Sequence, residues 1–348
     1  MNVKATMADV ARMAKVSPAT ASRVIHNNGY VSEENRKRVL DAVEAIGYRP
    51  NLQARSLRMQ RSYSVGLVLS SARENPFFTH ISHAIRTSAM NRGYSMLTVN
   101  HGYSSDAEAT GVSQFLEHGV DAVVLCHGLD PKNFEPIKAA ALPVIEIERH
   151  IIDGSSVIEI DPHTGMIEAV ETLYRQGHRK IAFVGGKIPD DLVFSTPVAA
   201  EALRADAFRN AITASGLALD DCPVMLGDYN PSHTGGGPPG YVIGKELLKS
   251  GGPTAILTGS DILAAGVLQA IYERGLRVPD DISVIGYDDS IARLLAPPLT
   301  SIAQPYHAIG EEVMRLIEKS TSPSTEQTSA SVATSLIERL SVGPIRLT

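Results

Sequence analysis

The run Pro18-Ala19-Thr20-Ala21-Ser22-Arg23 lies on a predicted short helix whose apolar face is Ala21, Val24 and Ile25. Pro18, Ala19, Thr20, Ser22 and Arg23 are left exposed. Small side chains let a helix approach a surface closely, and an arginine can bond the O6 and N7 edge of a guanine in a major groove. Charge points the same way. Residues 1–61 carry eleven Lys/Arg against five Asp/Glu, a net of +6, while the whole chain stands at −6. A basic head on an acidic body is expected when only the head meets phosphates.

Other chemistries lack their residues. Gly235, Gly237 and Gly240 spell G-x-G-x-x-G, but Asn230-Pro231-Ser232-His233 precedes them and Pro238-Pro239 lies within. A dinucleotide site needs a strand before the glycines and a helix after them. Walker A, H-E-x-x-H and G-x-S-x-G motifs do not occur, and the histidines are scattered. Cys126 and Cys222 suit neither a disulfide framework nor a metal site. No catalytic residue, cofactor or metal is expected. No run approaches 18 apolar residues, and the N-terminus lacks the apolar core of a signal peptide. A cytoplasmic chain with reduced thiols is expected.

The elements that position the exposed helix can be read locally. Thr6 with Asp9 forms a capping-box pattern, and Val10, Met13 and Ala14 follow at helical spacing. Lys15-Val16 is a break. Ser17-Pro18 restarts a helix, Ser as cap and Pro at the first position. Ser32 opens a third helix with Glu33 and Glu34 in its first turn, an apolar stripe of Val39, Val43 and Ile46, and Gly47 as its end. Two short helices joined by a tight turn and backed by a third make a helix-turn-helix. Pro50 stops the third helix, and residues 51–58 are too short to be a stable helix alone.

From Ser64 the pattern changes. Strand-length apolar runs at 65–69, 96–99, 121–125 and 144–147 alternate with helical segments, one near 78–91. A second set follows at 181–184, 255–257 and 283–286. Strands buried on both faces with intervening helices predict parallel sheets, and two sets predict two doubly wound lobes. Ligands of such sheets bind beyond the C-terminal strand ends, here in the cleft between lobes.

The run Met7-Ala8-Asp9-Val10-Ala11, then Val16 through Ile25, Val31-Ser32 and Gly47-Tyr48-Arg49-Pro50-Asn51 resembles the signature of the LacI/GalR regulators. The body resembles the same family, with its periplasmic-binding-protein fold, through Asn75-Pro76-Phe77-Phe78, Asp161 with Gly165, Gly177-His178, Ser260-Asp261, Val278-Pro279-Asp280-Asp281, Gly286-Tyr287-Asp288-Asp289, Pro298-Leu299-Thr300 and Gln304-Pro305. The resemblance covers nearly the whole chain. It implies a DNA-binding domain at 1–50, a hinge at 51–61, and an effector-binding and dimerisation domain of two interleaved lobes at 62–348. It assigns DNA contacts to Thr6, Ser17, Pro18, Ala19, Thr20, Ser22, Arg23, His26, Tyr30, Asn35, Ala54, Leu57 and Arg58. Pro18 and Ala19 fall at the variable base-reading positions. His26 stands where the family usually has Asn. Leu57 matches the leucine that wedges into the minor groove when the hinge folds on DNA.

For the effector the resemblance assigns Phe77, Phe78, Glu148, Arg204, Tyr229, Ser260, Asp288 and Gln304. Glu148 stands where Asp followed by Arg is usual, Ser260 where Asn is common, and Ala207 replaces the glycine of Arg-x-x-Gly-Phe. Carboxylates and an arginine bind hydroxyls, and aromatics stack on a sugar or base face. The segments 187–200 and 230–240 are longer than usual; they read either as a rim or lid of the site or as surface insertions. The tail 320–331 reads as a crossover, and 336–339 as a last strand. No leucine heptads follow, so a dimer on a pseudo-palindromic operator is expected. The function implied is a transcriptional regulator, a repressor, governed by a sugar or nucleoside-type metabolite. The alternatives are a protein partner as the main signal, or an enzyme or carrier with a DNA-binding head.

Overall fold

The computed structural model describes residues 5–26, 28–49, 61–70, 75–187, 200–228, 238–249, 252–320 and 328–345. The chain divides into two units, Met1–Ser62 and Tyr63–Thr348. Ala54, Leu57 and Arg58 of the expected hinge, Tyr229, and most of both long loops lie outside the described residues.

The first unit holds α1 (Met7–Ala14), α2 (Pro18–Ile25) and α3 (Glu33–Ile46). The capping box at Thr6 forms as expected: Thr6 Oγ1 accepts from Asp9 N, and Asp9 Oδ2 accepts from Thr6 N at 2.9 Å. Ser17 Oγ accepts from Thr20 N at 3.1 Å, and Ser32 caps α3 through Asn35 N. Each such cap contributes about 1 kcal/mol. Arg38 of α3 donates to Lys15 O at the end of α1, fixing one helix on the other. The core is built of small residues, including Ala11, Ala14, Ala21 and Ala42 around Val10, Val24, Val31 and Val39. Met13 departs from expectation and is 52% exposed. At 100° per residue the buried stripe centres between Val10, Ala11 and Ala14, and Met13 falls about 100° to its side.

The second unit has two six-stranded sheets. The first lobe contains β1 (Ser64–Leu69), α4 (Pro76–Asn91), β2 (Ser95–Asn100), α5 (Ser105–His118), β3 (Ala122–Cys126), α6 (Glu135–Ala139), β4 (Val144–Ile147) and β5 (Ser156–Asp161). The second contains α7 (His163–Arg175), β6 (Ile181–Lys187), α8 (Ala200–Ala214), β7 (Val224–Asp228), α9 (Tyr241–Leu247), β8 (Ala255–Thr258), α10 (Asp261–Glu273), β9 (Ser283–Asp288) and β10 (Thr300–Ala303). The chain then returns to the first lobe as α11 (Tyr306–Ser320) and β11 (Ser329–Ala333), and ends in the second with β12 (Ser335–Ile337). The first sheet, in order β11-β5-β4-β3-β1-β2, is wholly parallel. The second, β12-β10-β9-β8-β6-β7, is parallel except for β12.

Residues 329–331, expected within the crossover, instead begin β11, which with 332–333 adds in parallel to β5. Their Ser/Ala-rich, half-exposed sequence carries no apolar run to announce a strand. The lobes are joined three times, at Pro162, at Gln304-Pro305 and at Thr334. Two of the crossings are tied together: Thr334 donates from N and Oγ1 to Asp161 O and accepts from Gly165 N.

Close approaches explain two glycines, Gly165 of a quoted motif and Gly266 of α10. A Cβ on Gly165 would stand 2.5 Å from Ile302 Cγ2. A Cβ on Gly266 would stand 1.8 Å from Pro239 O and 2.7 Å from Tyr241 N, so alanine there must force α9 and α10 apart. Gly266→Ala is expected to cost about 3 kcal/mol, the upper range for overpacking. A urea melt showing less than about 1 kcal/mol of loss would contradict this packing.

Candidate nucleic-acid interface and ligand cleft

On the first unit, Ser17, Pro18, Ala19 and Arg23 are exposed at α2, with Thr20 and Ser22 half-buried beside them. Ser17 Oγ and Thr20 Oγ1 lie 2.9 Å apart, which stiffens the first turn of that helix. His26 is its C-cap. Thr6 and Ser17 are N-caps, and Asn35 lies in the first turn of α3. Helix starts present backbone N–H groups suited to phosphate. Tyr30 is 91% exposed, so its ring has no packing role here.

On the second unit, the ends of β3 and β4 and the start of α4 face α8, the start of α10 and the end of β9 across a cleft. From the first lobe Asn75, Phe77, Phe78, Tyr103, Cys126, His127, Ile147, Glu148 and Arg149 line it. From the second come Ala200, Glu201, Arg204, Ile262 and Asp288. The space is about 770 Å³ counting the open solvent at its mouth.

Arg204 is the centre of the polar array. Its Nη2 donates to Glu148 Oε1 of the opposite lobe at 2.8 Å, and its Nη1 donates to Gly259 O at 2.9 Å. Nη1 also lies 3.9 Å from Asp288 Oδ1, and the guanidinium sits 4.3 Å over the buried Tyr287 ring. Gln304 Nε2 donates to Asp288 Oδ1 at 2.7 Å. Burial pushes the Asp288 carboxyl well above the usual range, and Arg204 is the main force opposing that.

Three residues at strand ends adopt left-handed backbone: His127 (φ 78°), Glu148 (φ 63°) and Asp288 (φ 97°). Such conformations cost about 1–3 kcal/mol unless the surroundings hold them. A buried carboxylate holds each following loop. Glu108 accepts from Leu129 N and Asp130 N at 2.7 and 3.1 Å. Glu146 accepts from Ile151 N, Ile152 N and Ser155 Oγ. Asp261 Oδ2 accepts from Ser290 N, Ile291 N and Ala292 N, while its Oδ1 accepts from Ser301 Oγ.

Of the effector residues named from sequence, Phe77, Phe78, Glu148, Arg204 and Asp288 meet in the cleft. The two phenylalanines are also core, packed edge to face at 5.2 Å. Gln304 stands behind Asp288. Ser260 is fully buried and caps α10 through Leu263 N, outside the cleft lining. Tyr103, His127, Arg149 and Glu201 line the cleft but were not named. Arg149 adjoins Glu148, and Glu201 lies three residues before Arg204 on the same helix face, so both had a signal. Among the described residues no cluster of His, Cys, Asp or Glu could hold a metal, and no helix is long and apolar enough to cross a membrane.

Comparison with known proteins matches residues 6–51 to the model for bacterial regulatory proteins of the lacI family, and residues 170–342 to a periplasmic binding protein-like domain. Catabolite control protein A of Priestia megaterium is 32% identical over 324 residues, covering 92% of each chain. The ribose operon repressor of Escherichia coli strain K12 is 31% identical over 344 residues, covering 96% of this chain and 99% of its own. The structure of a lac repressor dimer bound to operator and the anti-inducer ONPF superposes with a TM-score of 0.72 at 28% identity, covering 98% and 99%. The chain belongs to the lacI family of bacterial regulatory proteins and is a DNA-binding transcriptional regulator.

Proposed function

We propose that this chain is a cytoplasmic, dimeric repressor whose operator affinity is set by a small polyhydroxylated metabolite, a sugar or nucleoside-type compound, held in the interlobe cleft. The supporting observation is Arg204, which joins a carboxylate of one lobe to the backbone and carboxylate of the other. A ligand that bonds these groups favours one spacing of the lobes over another, and only such differential binding can shift a conformational equilibrium. A ribose operon repressor among the relatives fits a sugar. In this reading residues 1–50 read the major groove, 51–61 form the hinge, and 62–348 bind effector and pair the subunits. Pro18, Ala19 and Arg23 face base edges, and Leu57 enters the minor groove.

A thermal-shift screen of sugars, nucleosides and purines, repeated with operator DNA, tests the reading. At least one compound should raise the melting temperature and change operator affinity. Operator binding should also weaken steeply with salt, by ~10³-fold between 50 and 200 mM for about six phosphate contacts. A flat salt response would count against the phosphate-contacting head.

A further inference from the structure

Besides the Arg204–Glu148 bond, the lobes meet at a second point. His80 of α4, in the first lobe, donates from Nε2 to Ser290 O of the second at 3.0 Å. A carbonyl only accepts, so Nε2 carries the proton. The same ring stacks on Tyr306, with centroids 5.3 Å apart and planes at 29°. Tyr306 opens α11, directly after the Gln304-Pro305 crossing. The donor is therefore pinned where the chain passes between lobes.

The acceptor is fixed as well. Ser290 is buried and donates its N–H to Asp261 Oδ2 at 2.6 Å, and the N–H groups of Ile291 and Ala292 follow it. Those bonds stay within the second lobe, while the Ser290 carbonyl serves the first. A hydrogen bond of this length is lost beyond about 3.5 Å, and the ring cannot follow a receding carbonyl without leaving Tyr306. The contact thus belongs to one spacing of the lobes. Both its ends reach the cleft wall. Phe77, three residues before His80 on α4, lines the cleft, and its ring lies 6.0 Å from that of Tyr306. Asp288, two residues before Ser290, lines it from the second lobe.

We infer that His80 is a positioning residue that clamps the first lobe onto the turn at Ser290 in one lobe arrangement and so biases the resting equilibrium between arrangements. A contact made in one state and not the other is what such a bias requires. The inference rests on the proposed control of operator binding by lobe arrangement and adds a clamp that needs no ligand.

The test uses the full chain without any metabolite. His80→Ala removes the donor. His80→Gln keeps an N–H donor near the Nε2 position, and His80→Asn places its amide too short to reach. Spin labels on the exposed positions Lys138→Cys of α6 and Arg209→Cys of α8, in a mixture with excess unlabelled chain, report the interlobe distance by pulsed dipolar spectroscopy; Cys126 and Cys222 are buried. The distance distribution should shift or broaden in the alanine and asparagine variants and return to that of the parent in the glutamine variant, a rescue that lost packing would not show. Affinity for an operator selected from genomic fragments should change about fivefold in the alanine and asparagine variants, the worth of one ordinary hydrogen bond, and stay near the parent value with glutamine. His80 is half-buried, so all three variants should keep the parent melting temperature. A parent-like distribution in His80→Ala, or a glutamine variant as altered as the alanine one, would overturn the clamp. A changed distribution with unchanged operator affinity would leave the clamp standing and overturn the proposed lobe control of operator binding.

Discussion

Asp261→Ala is expected to cost the second unit about 4 kcal/mol. The carboxylate is fully buried and receives three successive backbone N–H groups, from Ser290, Ile291 and Ala292, together with the Ser301 hydroxyl. Alanine strands all four, and each buried donor left unpaired costs about 1–3 kcal/mol before water enters the gap. Against a typical total stability of ~5–15 kcal/mol this is a large share. Asp261→Asn should cost less, about 1–2 kcal/mol, because one amide oxygen can still face the three N–H groups while the NH2 turns to Ser301. The same turn carries Asp288 and Asp289 in left-handed backbone. The alanine variant should therefore lose ligand binding at temperatures where it is still folded. Urea melts and calorimetry on both variants check this, and equal stabilities would show that the turn holds itself.

Arg204→Ala is expected to weaken effector binding at least 100-fold, about 2.7 kcal/mol. The side chain bonds Glu148 and Gly259 and lies over Tyr287, so its loss leaves Glu148 and Asp288 facing the cleft with no cation between them. Removing one partner of a buried charge pair commonly costs ~3–5 kcal/mol. Protonation of Asp288, already favoured by burial, offsets part of that. Lysine should not rescue, because a point charge cannot make the two-pronged contact or stack on the ring. The head lies in the other unit, so operator binding should survive. The variant should be a repressor that no longer responds, measured by operator anisotropy during effector titration.

Much of the head was legible because its signals are local. Thr6, Ser17 and Ser32 are caps within one turn of the groups they satisfy. The lobes were legible from apolar strand runs, and β11 was hidden because a polar edge strand has none. In the cleft the sequence led to Glu148, Arg204 and Asp288 but not to the residues that aim them. Glu108, Glu146 and Asp261 act through backbone N–H groups of loops that only the fold brings to them. Glu146 left one trace, an acid inside the apolar strand Val144-Ile145-Glu146-Ile147. His127, which also lines the cleft, left no comparable trace.

The central claim is that occupancy of the cleft governs operator binding. It is tested most directly by selecting an operator from genomic fragments with the full chain, then measuring its affinity with and without the metabolite that stabilises the protein. The account predicts a change of at least tenfold, ~1.4 kcal/mol, that disappears in Arg204→Ala while that variant still binds the operator. A metabolite that binds tightly yet leaves operator affinity within twofold would contradict it.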